Sequence, residues 1–185
     1  MKCKRRIFPA LCAIICAMLL LPASAEAQFV EKSTTALCLV PSAVAAVNTL
    51  SRHDRQGVWQ LALSSATCLA VNYSLEAVIT KDRPDGSGHH SFPSTHTVVA
   101  FNGATFLARR YGWRWGVPAY AVAAYVGWGR VHAERHDWWD VLGGAAIGTG
   151  TALIFARPYQ TKNTEISLAP IFGKGRYGLS ASVIF

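Results

Sequence analysis

The chain has 185 residues, of which 51% are hydrophobic and 15% are charged, and its 18 Lys and Arg outnumber its 10 Asp and Glu. This composition excludes a disordered, collagen-like or coiled-coil protein, and the length favours one domain. The apolar fraction suffices for a hydrophobic core or for several membrane-embedded helices. The basic residues do not form runs interleaved with aromatic residues, so nucleic acid is not an expected partner.

The first 27 residues have the composition of a secretory signal peptide. Four basic residues precede an apolar run at 7–21, and Pro22 and small residues follow up to Ala27. We expect cleavage after Ala27, with Ala25 as a second candidate site and an uncleaved anchor helix as the alternative. Cleavage would leave 14 basic and nine acidic residues, a net charge of +5. Such a charge suits an anionic substrate or an anionic lipid surface.

Long uncharged stretches without strand-like alternation predict an all-α fold, a bundle of about five helices. Gly144 and Gly148 form an i, i+4 pair of small residues that predicts close packing of the last helix. Export permits a disulfide between Cys38 and Cys68, although cysteine in an apolar stretch also serves as a small hydrophobic residue. The predicted helices cover 34–51, 57–79, 95–110, 115–129 and 137–156.

The C-terminal tail differs in pattern from the helical part. From Tyr177 to Phe185, apolar residues alternate with small or polar ones after a turn signal at 173–176, which predicts a short β-hairpin. The expected organisation is a signal peptide at 1–27, a helical domain at 28–160 and a tail at 161–185.

The connections between the predicted helices indicate an orientation in a membrane. The connections 52–56 and 109–114 carry five arginines, which the positive-inside rule assigns to the cytoplasmic side. The same alternation places the loops 80–94 and 130–136 together on the other side. We therefore predict a bundle in a bacterial inner membrane with its site facing the periplasm. A soluble periplasmic bundle is the alternative, since the apolar runs are at or below the length that spans a bilayer.

Charged and polar residues are concentrated at the ends of the apolar helices. Arg83 and Arg130 carry planar, permanently charged guanidinium groups that suit phosphate oxygens. Ser94 precedes a predicted helix, whose unpaired backbone N–H groups would form an anion site with the serine hydroxyl. These features predict a phosphate-binding site.

Two histidines and one aspartate can supply the chemistry at this site. His136 and Asp140 are four residues apart and share one face of a predicted helix. The carboxylate can fix the imidazole tautomer and leave the other ring nitrogen free as a nucleophile. His96 can protonate a leaving oxygen. The combination indicates phosphoryl transfer without a metal ion or other cofactor.

These residues lie in three motifs that resemble those of the type 2 phosphatidic acid phosphatases. The pattern of that family is Lys-x6-Arg-Pro, then Pro-Ser-Gly-His, then Ser-Arg-x5-His-x3-Asp. The resemblance runs from about Glu76 to Gly150. The matching residues are Arg83-Pro84, then Pro93-Ser94-Thr95-His96, then Gly129-Arg130 with His136 and Asp140.

The resemblance implies a role for each matching residue. His136 would attack phosphorus and become phosphohistidine, Asp140 would orient it, and His96 would protonate the leaving group. The phosphate would be bound by residues of all three motifs, which are Arg83, Ser94 and Arg130, with Thr95 in the same phosphate loop.

Three positions depart from the family pattern. Glu76 stands where the family has lysine, and its carboxylate would repel a phosphate. Lys81 is the candidate that replaces the missing positive charge at the phosphate. Thr95 replaces glycine and restricts the phosphate loop, and Gly129 replaces serine and removes a hydroxyl. A degenerate protein that binds anionic lipid headgroups without turnover is therefore an alternative.

Other residues have alternative interpretations. His132, His136 and Asp140 together have the spacing of a zinc site, although the metalloprotease motif is absent. The histidines at 89–90 are expected in a solvated loop or a lid. The tryptophans at 138–139 predict either an aromatic belt at a membrane interface or packing residues.

Taken together, the sequence predicts an exported, metal-independent phosphatase that hydrolyses a lipid or lipid-like phosphomonoester or pyrophosphate. Phosphatidate, phosphatidylglycerophosphate, polyprenyl pyrophosphates such as undecaprenyl pyrophosphate, and lipid A phosphates all fit this chemistry. A vanadate-dependent haloperoxidase shares this kind of anion pocket and is the enzymatic alternative, but the chain is short for one.

Overall fold

A computed structural model describes residues 23–159, 165–173 and 176–184, with the backbone alone for 23–26 and for the last two ranges. These residues contain six α-helical segments and two strands. The helices are α1 (Ala23–Leu37), α2 (Val40–Ser51), α3 (Arg55–Val78), α4 (Thr95–Tyr111), α5 (Trp113–His132) and α6 (Trp138–Phe155). The strands are β1 (Glu165–Gly173) and β2 (Arg176–Ile184), which pair antiparallel.

The predicted helical architecture is confirmed, with one change at its start. Each of the five predicted helices has a counterpart in the structure. The first, predicted over 34–51, is extended towards the N-terminus and interrupted by a turn at Cys38 and Leu39. Pro41 lies in the first turn of α2, where its missing N–H costs nothing. The described part of the chain therefore has α1 and α2 in place of one helix.

Most of the predicted signal peptide lies outside the described residues, whereas the backbone of both strands of the tail is described. Residues 1–22 of the predicted signal peptide are not among them, and 23–27 belong to α1. Val30 and Thr34 of α1 pack against α5, and cleavage after Ala27 would retain these contacts. The signal peptide and the domain limits stay predictions. The packing of the predicted hairpin also stays a prediction, because neither its turn nor its side chains are described.

Helix α4 is the central helix of the bundle. It contacts α2, α3, α5 and α6, and Phe106 on α4 is fully buried. The predicted close packing of α6 is confirmed. A side chain at Gly148 would overlap the Val98 carbonyl, and a Cβ at Gly144 would lie 2.8 Å from the Ser94 carbonyl oxygen. This approach places the start of α6 beside the start of α4.

The connections of the bundle fall at two opposite ends. At one end, Arg135 Nη1 donates to Asp85 Oδ2 at 2.9 Å, which joins the loop after α3 to the connection after α5. At the other end, Arg110 at the end of α4 pairs with Asp54 at the start of α3. The prediction that loops 80–94 and 130–136 share one end is therefore confirmed.

Among the described residues, two helical stretches, Ala27–Ser51 and Arg55–Val78, are long and apolar enough to cross a membrane. Helix α3 leaves large apolar side chains uncovered, and Trp59 is 71% exposed and Val78 is 81% exposed. Exposed apolar faces of this kind are typical of contact with lipid or with another protein. Trp138 and Trp139 are also exposed, which favours an interfacial belt over a packing role. These features indicate a membrane protein.

The two described cysteines form no disulfide. Cys38 and Cys68 are both free and buried. Their Sγ atoms donate to the backbone carbonyls of Thr35 and Ser65, at 3.1 and 3.2 Å. They therefore serve as small buried residues within their helices.

Candidate active site

His136 lies in the short connection between α5 and α6. Its backbone N–H donates to the Arg130 carbonyl at 3.2 Å, which folds the connection back onto the end of α5. The His136 side chain is buried, and its Nδ1 lies 2.8 Å from the Ser91 carbonyl oxygen. Because a carbonyl oxygen can only accept, Nδ1 carries the proton and Nε2 is left with a free lone pair.

Asp140 is fully buried in the first turn of α6. Its Oδ2 lies 3.6 Å from His136 Nδ1, which is beyond hydrogen-bonding distance. This Oδ2 instead accepts from Ser91 Oγ at 2.5 Å and from the Asp137 N–H at 3.0 Å. The structure thus differs from the prediction that Asp140 fixes the imidazole tautomer. The Ser91 carbonyl fixes it, and the hydrogen bonds link Asp140 to His136 through Ser91.

A capping box formed by Asp137 and Asp140 fixes the start of α6. The Asp137 carboxylate accepts from the Asp140 N–H at 3.0 Å, and the Asp140 carboxylate accepts from the Asp137 N–H. An acidic pair three residues apart before an apolar run is a sequence signal that would have identified Asp137. Ser91 had no such signal, because it contacts His136 through its backbone carbonyl.

Arg83 and Arg130 bring positive charge to the site without an acidic partner. Arg130 is 4% exposed and forms no salt bridge with a described residue. The Nε atoms of both arginines are buried, and neither has a hydrogen-bond partner among the described residues. An unsatisfied buried donor is costly. Both guanidinium groups are therefore suited to a bound anion.

The start of α4 offers further donors. Ser94 is the N-cap residue and is fully buried, and its hydroxyl makes no capping bond. That hydroxyl accepts from Thr97 Oγ1 at 3.1 Å. Without a side-chain cap, the first N–H groups of α4 stay available to an anion. His96 lies in the same first turn and is half-buried.

The two histidines have similar electrostatic surroundings. Burial and, to a lesser extent, the charge of Arg130 lower the pKa of His136 to about 4, although the Ser91 hydrogen bond and the charge of Asp140 act in the opposite direction. Burial lowers the pKa of His96 to about 4 as well, with the charges of Arg130 and His136 adding to the effect. With pKa values of about 4, both imidazoles are neutral at pH 7. His136 is thus in the form whose free ring nitrogen could act as a nucleophile.

The side chains of two predicted phosphate ligands, Lys81 and Thr95, bind other side chains of the protein. Lys81 Nζ lies 2.6 Å from Asp137 Oδ2 and 2.7 Å from Asp140 Oδ1. The Thr95 hydroxyl accepts from Asn72 Nδ2 at 2.9 Å. Their side chains are therefore committed to other contacts, in contrast to the unpartnered Nε atoms of the two arginines.

The departure from the family pattern at Gly129 has a packing explanation. A side chain at Gly129 would overlap Thr34 Cγ2, and its Cβ would lie 3.0 Å from Val30 Cγ1. The serine of the family would not fit here unless the Thr34 side chain or α1 shifted. At the other departure, Glu76 is half-exposed, and its backbone carbonyl lies 3.1 Å from His90 Nδ1.

The remaining histidines of this end make other contacts. The His132 ring stacks on Trp128 with centroids 4.9 Å apart. His89 is exposed and pairs with Asp82. In the described part of the chain, no three or more His, Cys, Asp or Glu side chains are grouped so that they could hold a metal ion.

Comparisons of sequence identify related proteins. The lipid A 4'-phosphatase of Helicobacter pylori is 29% identical over 176 residues, which cover 87% of this chain and 88% of that protein. The lipid A 1-phosphatase of Porphyromonas gingivalis is 45% identical over 69 residues, 36% of this chain and 16% of that protein. The shorter match is thus confined to part of a much longer protein.

Two crystal structures share the fold. Aquifex aeolicus LpxE has a TM-score of 0.57 and 22% identity, with 68% of this chain and 84% of that chain covered. The transmembrane PAP2 type phosphatidylglycerolphosphate phosphatase of Bacillus subtilis has a TM-score of 0.57 and 24% identity, with 82% and 85% covered.

The family comparison covers most of the helical bundle. The profile described as the PAP2 superfamily matches residues 48–164. This range is more than half of the chain and includes all three motifs. The resemblance found in the sequence is therefore confirmed, and this chain belongs to the PAP2 superfamily.

Proposed function

We propose that this protein hydrolyses a lipid phosphomonoester or pyrophosphate through a phosphohistidine intermediate on His136. Its family and its phosphatase relatives make the chain a phosphoric ester hydrolase of the lipid phosphatase type. One observation carries the proposal. Arg83 and Arg130 each have a buried Nε donor without a partner among the described residues. The charges of these two arginines act on His136, which is neutral and has a free Nε2.

The proposed reaction has two steps. Arg83, Arg130 and the start of α4 at Ser94 and Thr95 bind the phosphate. In the first step, His136 Nε2 forms a bond to phosphorus while the bond to the leaving oxygen breaks, and His96 gives that oxygen a proton. In the second step, water attacks phosphorus, His96 takes a proton from the water, and the phosphorus–nitrogen bond breaks. Phosphate then leaves.

Within the lipid class, the relatives favour a lipid A phosphate as the substrate. One of them, a lipid A 4'-phosphatase, aligns with nearly the whole of this chain. Phosphatidate, phosphatidylglycerophosphate and undecaprenyl pyrophosphate present the same terminal phosphate and serve as comparators in the test. The chemistry of the site recognises the phosphate group, so the distinction among these lipids depends on the rest of the molecule.

We further propose that the site faces the periplasm. The arginine-bearing connections lie at the end of the bundle opposite His136, and the positive-inside rule assigns that end to the cytoplasm. The exposed Trp138 and Trp139 next to the site suit a membrane–water interface. A signal peptide at 1–27 would direct the chain to this location.

The experiment that tests the function is a phosphate-release assay on the detergent-solubilised protein in the presence of EDTA. Lipid A, the three comparator lipids and a soluble phosphomonoester are supplied in turn. We expect release from lipid phosphates, most rapidly from lipid A. Headgroup binding without release from any lipid would identify the degenerate binding protein instead. Halide oxidation that depends on added vanadate would identify the haloperoxidase.

The histidine environments predict activity on the acid side of neutrality. Below about pH 4, His136 becomes protonated and loses its nucleophilic lone pair. As the pH rises above about 4, less of His96 carries the proton that the leaving oxygen needs, and above about pH 6 a phosphomonoester also loses its second proton. We expect kcat/KM to be highest between about pH 4 and pH 5 and to fall towards alkaline pH. Initial rates from pH 4 to 9 at constant ionic strength measure this, and an alkaline optimum would contradict it.

A further inference from the structure

Lys81 lies in the loop after α3 and reaches the first turn of α6. Its Nζ donates to Asp137 Oδ2 at 2.6 Å and to Asp140 Oδ1 at 2.7 Å. The Asp140 side chain is fully buried, whereas that of Lys81 is 32% exposed. A buried carboxylate needs a compensating charge or hydrogen bonds. Lys81 is the cation that the structure places in contact with Asp140.

The contacts of Asp140 continue from Lys81 to His136. The second oxygen of Asp140 accepts from Ser91 Oγ at 2.5 Å, and the Ser91 carbonyl binds His136 Nδ1. The backbone closes the same path, since the Ser91 N–H donates to the Lys81 carbonyl at 2.9 Å. Lys81, Asp140, Ser91 and His136 therefore form one continuous hydrogen-bonded chain that ends at the nucleophile.

We propose that Lys81 is a positioning residue for the phosphoryl transfer. The inference rests on the function proposed above. Its ammonium group neutralises Asp140 and, through Asp140 and Ser91, holds His136 with Nδ1 as the donor and Nε2 towards phosphorus. Lys81 contacts no phosphate in this role. It differs in this respect from the phosphate ligand that the sequence predicts at this position.

The charge of Lys81 also bears on the protonation state of His136. Asp140 lies 3.6 Å from His136 Nδ1, and an uncompensated carboxylate at that distance favours the imidazolium. The paired ammonium reduces this effect and preserves the neutral nucleophile. The other charged or titratable groups that act on His136 lie on the neighbouring elements. They are Arg83 of the loop after α3, His96 of α4, and Arg130 at the end of α5.

The test compares Lys81→Met with Lys32→Met, which removes an exposed lysine from α1. In Lys81→Met we expect kcat to fall by about 10- to 100-fold, because a misplaced nucleophile attacks poorly. KM and the inhibition constant of inorganic phosphate should change by less than about twofold, because phosphate contacts are kept. The acid limb of the pH profile should move to higher pH. Lys81→Arg, which keeps the charge and two donors, should recover most of the lost kcat, and Lys32→Met should match wild type.

Different results would overturn the inference. A raised KM and weaker inhibition by inorganic phosphate, with kcat retained, would make Lys81 a phosphate ligand. Unchanged kinetics and an unchanged pH profile in Lys81→Met would remove Lys81 from the mechanism. If Lys81→Met does not fold, two other measurements test the inference. They are the kinetics of Lys81→Arg and the reductive methylation of Lys81 in the wild type. Protection of Lys81 from methylation by inorganic phosphate would contradict the inference, and equal methylation with and without phosphate would support it. A wild type inactive on every lipid phosphate would instead refute the proposed function.

Discussion

Replacing His136 by alanine is expected to abolish phosphate release from lipid phosphates. The variant lacks the Nε2 lone pair that forms the bond to phosphorus, and no other described side chain at the site presents an equivalent nucleophile held by Ser91. Loss of a covalent nucleophile lowers kcat on the order of 10³-fold or more. The measurement is phosphate release in EDTA, with binding of inorganic phosphate as a check that the site is intact.

His132→Ala is the matched control for this variant. His132 is four residues earlier and exposed, and its ring stacks on Trp128. We expect nearly wild-type activity from it. An equal loss of activity in both variants, reversed by added zinc, would favour the zinc site that the spacing of His132, His136 and Asp140 suggests. Full activity in His136→Ala would contradict the proposed mechanism.

The covalent intermediate can be observed directly. After rapid quenching, substrate labelled in its phosphate should leave acid-labile label on wild-type protein and none on His136→Ala. His96→Ala should keep the label for longer, because the water that cleaves the phosphohistidine then lacks its base. Label that persists in His136→Ala would assign the nucleophile to another residue.

Much of this site was predictable because most of the charges in this apolar chain lie near the ends of helices or in the connections between them. Arg83, His96, Arg130 and His136 stand out against uncharged helices, and the helices follow from the lengths of those uncharged runs. The close contact of α4 and α6 also follows from the sequence, through the spacing of two glycines. Such features depend on residue type and on local spacing alone.

The features that were not predicted depend on contacts between distant segments. Ser91 acts through its backbone carbonyl, which every residue has, so its identity gives no signal. The contacts of the Lys81 side chain depend on how the loop after α3 meets α6. Its partners Asp137 and Asp140 lie 56 and 59 residues further along the chain. From the sequence, Gly129 indicated only the loss of a serine hydroxyl. The packing of α1 shows that a larger residue at this position would collide with Thr34.

The end of the bundle opposite the site contains a buried ion pair that is expected to control stability. Arg110 Nε and Nη2 donate to the two carboxylate oxygens of Asp54 at 2.6 and 2.5 Å. Arg110 Nη1 also donates to Gln60 Oε1 and to the Arg157 carbonyl, each at 2.8 Å. These bonds join the start of α3, the end of α4 and the segment after α6. Burial opposes ionisation of Asp54, but hydrogen bonds from Arg110 and Gly57 hold the pKa of its carboxyl below its usual range.

Asp54→Asn is expected to destabilise the protein by about 3–5 kcal/mol, because it leaves Arg110 buried without a counter-charge. Asparagine keeps the size of the side chain and an oxygen that can accept from the Gly57 N–H, so the helix cap is conserved. The loss therefore reports the ion pair rather than the cap. Unfolding of the detergent-solubilised protein by titration with a denaturing detergent measures it, with phosphate release at low temperature as a separate readout.

Asp82→Asn removes the same charge from an exposed aspartate whose side chain is 74% exposed, and it should cost less than about 1 kcal/mol. The double variant Asp54→Leu with Arg110→Met removes both charges and should recover part of the stability lost in Asp54→Asn. At low temperature Asp54→Asn should still release phosphate, since the pair lies at the end away from His136. Equal stability of Asp54→Asn and Asp82→Asn would show that the pair does not hold the bundle together. A loss of activity without a loss of stability would instead link this end of the bundle to the catalytic end.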